Sequence, residues 1–122
     1  MNLRFHLLGL AHLETSKNNL SCAYTQKIIK LAKMIKNYGH KIYFYGVEGS
    51  EVDCDEFIQV STQDILHQTY GNYDKTKDFF KQDPNDDAHI TFNRNTINAI
   101  LERKQERDIL LCPMGVYQKP IA

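Results

Sequence analysis

Residues 28–46 read IIKLAKMIKNYGHKIYFYG and contain a helix, its end and the strand that follows. Apolar residues recur at helical spacing in the first half, which predicts an amphipathic helix capped by Ser21. Gly39 supplies the C-terminal stop, because glycine readily adopts the left-handed backbone of a helix end. Residues 40–45 then predict a strand that ends at Gly46. The inward face of the helix is predicted to hold Tyr24, Ile28, Leu31, Ala32 and Ile35.

Residues 3–8 form a short apolar run in front of this helix and predict a first strand. Strand, helix and strand make a βαβ unit with a right-handed crossover. Residues 9–19 follow this strand and are too polar and irregular to continue it, which predicts a long loop. Long loops in compact domains are often functional.

The remaining elements follow from weaker patterns. Residues 56–60 predict a third strand, and residues 108–112 a last one. Ser61 is predicted to cap a helix through Tyr70, and Asn93 or Asn95 a second helix. Residues 72–89 predict a polar surface insertion with a helical turn at Phe79 and Phe80. The fold class is therefore α/β, with a Rossmann-like, open, mostly parallel sheet and flanking helices in one domain, residues 1–122.

In such a sheet the ligand crevice lies beyond the carboxyl ends of the strands, where strand order reverses. We expect the last strand to flank the first on the side opposite the second and third. The crevice is then walled by the loops of residues 9–19 and 113–119, with residues 46–50 beside them.

Composition narrows the classes of partner. The 122 residues carry 15 basic and 15 acidic side chains, and this balance gives no electrostatic reason to expect nucleic acid as a partner. No signal peptide and no stretch of transmembrane length is recognised. Three widely spaced cysteines indicate reduced thiols and a cytoplasmic protein. The histidines and cysteines lack a closely spaced ligand pair, so no metal site is predicted.

Three segments resemble the opening of GT-B glycosyltransferases of the family 4-like, group 1-like kind. They are residues 6–12 (HLLGLAH), 22–27 (CAYTQK) and 38–50 (YGHKIYFYGVEGS), and residues 115–122 (GVYQKPIA) are similar to a later helix entry. The resemblance implies that the chain is an incomplete N-terminal GT-B domain. It would shape the acceptor side of a sugar-transfer cleft and would be inactive alone, because a separate donor domain or second chain binds the nucleotide-sugar. The nucleotide-sugar is then a donor substrate, and no cofactor is expected.

The resemblance and the predicted crevice together select the candidate residues. Gly9 would allow close approach of the backbone to a ligand, His12 would be a polar contact, and Gly115 and Gln118 would line the opposite wall. Glu48 could act as a base, but the interpretation as a solvated turn carboxylate is favoured over that role. The full set of candidate substrate-binding residues is Gly9, His12, Thr15, Glu48, Gly115 and Gln118. The alternative from another class is a non-catalytic Rossmann-like module that binds a ligand or a protein.

Overall fold

A computed structural model describes residues 2–20, 22–71 and 83–122. The strands are β1 (Arg4–Leu8), β2 (Lys41–Val47), β3 (Glu56–Ser61) and β4 (Ile109–Leu111). The α-helices are α1 (Ala23–Asn37), α2 (Gln63–Tyr70) and α3 (Asp87–Arg103). Short 3-10 helices cover Lys17–Asn19 and Gly115–Gln118. No helix of the described residues is long and apolar enough to cross a membrane.

The four strands form one parallel sheet in the order β3-β2-β1-β4. This confirms the predicted α/β class, the parallel sheet and the place of the last strand beside the first. In register, Leu7 of β1 lies opposite Phe44 of β2, and His6 lies opposite Leu110 of β4. The order reverses at β1, which therefore occupies the position where open α/β sheets bind ligands.

Side chains of the central strands point alternately to the two faces of the sheet, and each face packs into its own core layer. Leu7 and Phe44 face α1, whereas Leu8 and Tyr45 face α2 and α3. Because both faces of a parallel sheet are covered, the central strands are apolar nearly throughout. The α1 layer contains Leu7, Leu10, Leu13, Ile28, Ala32, Ile35, Ile42 and Phe44.

Several local predictions are confirmed and others are wrong. Gly39 has a φ of +80° at the end of α1, as its turn requires. Tyr24 is wrong as a core residue, since it is 45% exposed and Thr25 is buried in its place. Thr62, not Ser61, caps α2 through its hydroxyl. Ser21 lies outside the described residues.

The largest correction concerns α3. Asn93 and Asn95 do not cap this helix, because it begins six residues before Asn93 and is capped by the Asp86 carboxylate. The predicted insertion of residues 72–89 is wrong at its C-terminal end, where His89 is buried in α3. Its proposed helical turn at Phe79 and Phe80 lies outside the described residues.

A buried hydrogen-bonded chain joins three strands on the α3 side of the sheet. His6 Nδ1 lies 2.7 Å from the Tyr45 hydroxyl, and His6 Nε2 lies 2.7 Å from Asp108 Oδ2. Burial raises the pKa of Tyr45 to about 12, so its phenol is protonated at neutral pH. Because the Asp108 carboxylate can only accept, His6 Nε2 donates to it, and Nδ1 of an uncharged ring accepts from the Tyr45 hydroxyl. Asp108 completes the chain from the residue just before β4, where Arg4 also contacts it.

We expect Tyr45→Phe to lower the free energy of unfolding by about 1–3 kcal/mol, because His6 Nδ1 is then buried without a donor. Urea denaturation provides the measurement. Tyr38→Phe is the matched control, since Tyr38 is 76% exposed. Equal stability of the two variants would contradict a structural role for the Tyr45–His6 hydrogen bond.

Candidate functional site

The first loop, residues 9–19, is held against both of its neighbours at the carboxyl end of the sheet. Gly9 donates its N–H to Tyr45 O of β2 at 2.7 Å, and its own carbonyl accepts from Gln118 Nε2 at 2.8 Å. Gln118 is buried and also accepts from Met114 N through Oε1. The loops after β1 and β4 therefore meet at one rim, as the topology predicts.

The loop after β2 joins the same rim. Thr15 N donates to the Ser50 hydroxyl at 3.0 Å, and Thr15 O accepts from Glu51 N at 2.8 Å. Gln63, at the start of α2, donates from Nε2 to Glu14 Oε2 and to Glu48 O, each at 2.8 Å. We call this set of contacts between residues 9–19, 46–51, 63 and 113–119 the rim.

The candidate residues take different positions in the rim. Gly9, His12, Thr15 and Gln118 are buried, and Glu48 and Gly115 are exposed. Glu48 Oε1 accepts from the backbone N–H of Gln63 at 3.0 Å. Its negative charge therefore lies at the N-terminus of α2, where the helix dipole stabilises it. Gly115 has a φ of +60°, and a Cβ there would meet nothing within 4 Å.

Gly9 is required by packing against the protein itself. A Cβ at this position would lie 2.7 Å from Phe44 Cζ, 3.1 Å from Tyr45 O and 3.3 Å from Thr15 Oγ1. Phe44 is fully buried and has little room to yield. The close backbone approach expected of Gly9 is therefore made to β2 in this structure.

His12 is the candidate with the most altered acid–base behaviour. It is 7% exposed, and its ring is stacked on that of His89 with 6.4 Å between centroids and 16° between planes. Burial, followed by the neighbouring charge of His89, lowers the pKa of His12 to about 4, against an opposing effect of Asp86. Near neutral pH, His12 is an uncharged imidazole.

The sequence did not reveal a second group of polar residues next to His12. His89 Nδ1 lies 2.8 Å from Asp86 Oδ1, and the Tyr70 hydroxyl donates to Asp86 Oδ2 at 2.6 Å. The His89 ring also contacts the Tyr117 ring, with centroids 5.1 Å apart. Asp86 followed two residues later by Ala88, the first buried residue of the helix, is an N-cap pattern that could have located this group.

Among the residues that the structure describes, no three His, Cys, Asp or Glu side chains are arranged to hold a metal ion. The chemistry available at the rim is hydrogen bonding by imidazoles, amides and carboxylates.

Comparison with known protein families, curated proteins and solved structures gave no match. The residues and their geometry therefore carry the functional interpretation.

The lowered pKa of His12 predicts a pH-dependent stability. Between pH 6.5 and 4 the unfolded chain binds a proton at this residue that the folded chain rejects, so stability falls as the pH drops. From pH 7.5 to pH 5 we expect His12 to account for a loss of about 2 kcal/mol. His12→Gln should remove that part of the loss in urea denaturation.

His67→Gln is the control for this measurement, because His67 is exposed on α2. The control should follow the wild-type pH dependence. If His12→Gln also follows it, His12 is not the buried neutral imidazole described above.

Proposed function

We propose that this chain is the acceptor-side domain of a GT-B-type sugar transferase. The observation that best supports this proposal is that the loops after β1, β2 and β4 meet at one rim. His12, Thr15 and Gln118 are buried within it. The segments that resemble GT-B glycosyltransferases include these loops, which ties the resemblance to a physical location.

The chemistry of the rim favours a neutral, hydroxyl-rich ligand. Sugar hydroxyls both donate and accept hydrogen bonds, and the exposed Glu48 carboxylate of the rim can accept from them. Tyr117 adds an aromatic ring beside His89, and aromatic faces pack against apolar ligand surfaces. An acceptor sugar matches this combination.

The charge of the rim also supports separate binding sites for the acceptor and for the nucleotide-sugar. Glu14 and Glu48 are the carboxylates bound into its hydrogen-bonded network through Gln63. Two carboxylates oppose the approach of a diphosphate, because like charges brought together cost several kcal/mol. The same loops carry Glu51, Lys17 and Lys119, all exposed, so three carboxylates stand against two lysines in the rim. We therefore infer that the nucleotide-sugar is held by a different domain or a second chain.

An apolar groove beside β4 supports such a covering polypeptide. It has a volume of about 330 Å³ and lies between α3 and the edge strand. Leu101 in this groove is 60% exposed, an unusual environment for a large apolar residue. The residues that line its apolar part include Ile97, Ile100, Leu101, Ile109, Leu110 and Ile121.

Direct binding of a neutral glycoside tests the proposal. We expect the methyl glycosides of glucose, galactose or mannose to shift the amide signals of Thr15 and Glu48 in a titration of the full chain. Glu48→Ala should weaken that binding about 5-fold, the effect of one lost hydrogen bond of about 1 kcal/mol. Glu106→Ala, an exposed carboxylate outside the rim, is the matched control.

The donor side gives an independent check. The chain alone should show negligible turnover of a radiolabelled UDP- or GDP-sugar, and UDP should leave the rim signals in place. Clear turnover, or rim signals that respond to UDP and to none of the glycosides, would refute the acceptor-side assignment.

A further inference from the structure

One face of α3 is largely exposed and points away from the buried side of the helix. Its residues recur at spacings of three and four, whereas the opposite face carries the buried Phe92 and Ala99. Ile90 is 47% exposed and Leu101 is 60% exposed, although both are large and apolar. The six residues of this face, which we call the α3 stripe, are Asp87, Ile90, Arg94, Ile97, Leu101 and Lys104.

The spacing of the α3 stripe is typical of a contact between two helices. Single exposed apolar residues are common on protein surfaces, but side chains that alternate by three and four residues form the narrow seam of a two-helix coiled coil. Burial of Ile90 and Leu101 against a partner would remove from water apolar surface that the chain itself leaves exposed. The α3 stripe therefore indicates a helical partner.

Two grooves adjoin the α3 stripe, and Ile97 lines both of them. One has a volume of about 320 Å³ and is lined by Ile90 together with Pro84 and Pro120. The other is the groove beside β4, which contains Leu101. Because the grooves share Ile97, they give the side chains of an incoming helix places to insert along the length of the stripe.

The two ends of the α3 stripe carry opposite charges. Asp87 is the first residue of α3, Lys104 is its C-cap, and both residues are exposed. In a dimer with two-fold symmetry the same patch of both copies meets itself. With the axis between residues 95 and 96, the two α3 helices run antiparallel, and Asp87 of each copy lies opposite Lys104 of the other. An ion pair then forms at each end of the seam.

The same axis pairs the inner positions of the stripe. Ile90 of one copy lies opposite Leu101 of the other, which makes an apolar layer near each end. At the centre Arg94 lies opposite Ile97, where its methylene stem packs on the isoleucine while the guanidinium reaches water. A parallel pair would instead place every charged residue opposite its own copy, and like charges brought together are unfavourable. Charge complementarity therefore selects a second copy of the chain in antiparallel orientation.

We infer that the α3 stripe is a homodimer interface in which two copies of α3 pack antiparallel. The second copy also covers the part of the groove beside β4 that contains Leu101. The inference is independent of the proposed function, because no residue of the stripe belongs to the rim. A seam of one helix pair lies at the small end of protein–protein interfaces, so we expect a weak dimer with a Kd on the order of 10–100 µM.

Sedimentation equilibrium of the full chain from about 5 to 500 µM tests the dimer, since this range spans the expected Kd. We expect the average mass to rise from that of one chain toward that of two. Leu101→Asp should weaken association at least about 10-fold, because a charge then enters an apolar layer. Met34→Asp is the matched control and should leave the Kd unchanged, since Met34 is a similarly exposed apolar residue, at 51%, on α1.

Charge variants test the antiparallel geometry. Asp87→Lys and Lys104→Asp each create like charges at both ends of the pair, so each variant alone should dimerise about 5-fold more weakly. A mixture of the two variants should recover wild-type association, because opposite charges face each other again at both ends of the mixed dimer. Circular dichroism of each variant checks that its helices still form.

Three outcomes would overturn the inference. A chain that stays monomeric over the whole concentration range would leave the stripe to a different polypeptide. Dimers that Leu101→Asp and Met34→Asp weaken equally would have their interface elsewhere. Mixed charge variants that associate no better than either variant alone would rule out the antiparallel pair.

Discussion

Pairing of β1 with strands on both sides is the constraint on which the rest of the structure depends. β1 is parallel to β2 and to β4, so the three carboxyl ends lie at one edge of the sheet. Two hydrogen bonds at Gly9 then fasten the edge, from its N–H to Tyr45 O and from Gln118 to its carbonyl. Gly9 and Gln118, which are 109 residues apart in sequence, come within hydrogen-bond distance because β1 pairs with β4.

This arrangement makes the loop after β1 part of the core. Leu10 and Leu13 enter the α1 layer, and Ala11 enters the α3 layer. His12 lies between these buried apolar residues in the sequence, and its ring stacks on that of His89. Because its neighbours are packed in the core, the position of His12 is fixed. A site built in this way is already organised before a ligand arrives, which lowers the entropy lost on binding.

The sequence was sufficient for the sheet and insufficient for α3, and the difference has a physical cause. Strands β1 and β2 and helix α1 have apolar residues facing inward, so periodicity reveals them. The buried face of α3 carries His89, Asn93 and Thr96 beside Phe92. A prediction that takes only apolar residues to be buried cannot recognise such a face. For this reason His89 was predicted to lie in a surface insertion. The same bias put Tyr24 in the core, because aromatic character alone does not say which side of a helix is covered.

The candidate site divides in the same way. Topology predicted that the loops holding His12, Thr15, Glu48 and Gln118 would meet, because parallel strands fix where loops begin. It could not predict the hydrogen-bonded group of Tyr70, Asp86 and His89. That group depends on where α2 ends and where α3 begins. The same buried polar face holds His89 Nε2 and Asn93 Oδ1, which have no hydrogen-bond partner among the described residues. A helix that sacrifices apolar packing for imidazole and amide groups loses stability unless those groups are satisfied. The failure of the simple pattern in α3 therefore coincides with the part of the fold where hydrogen-bonding chemistry, and not packing, determines which residues are inside.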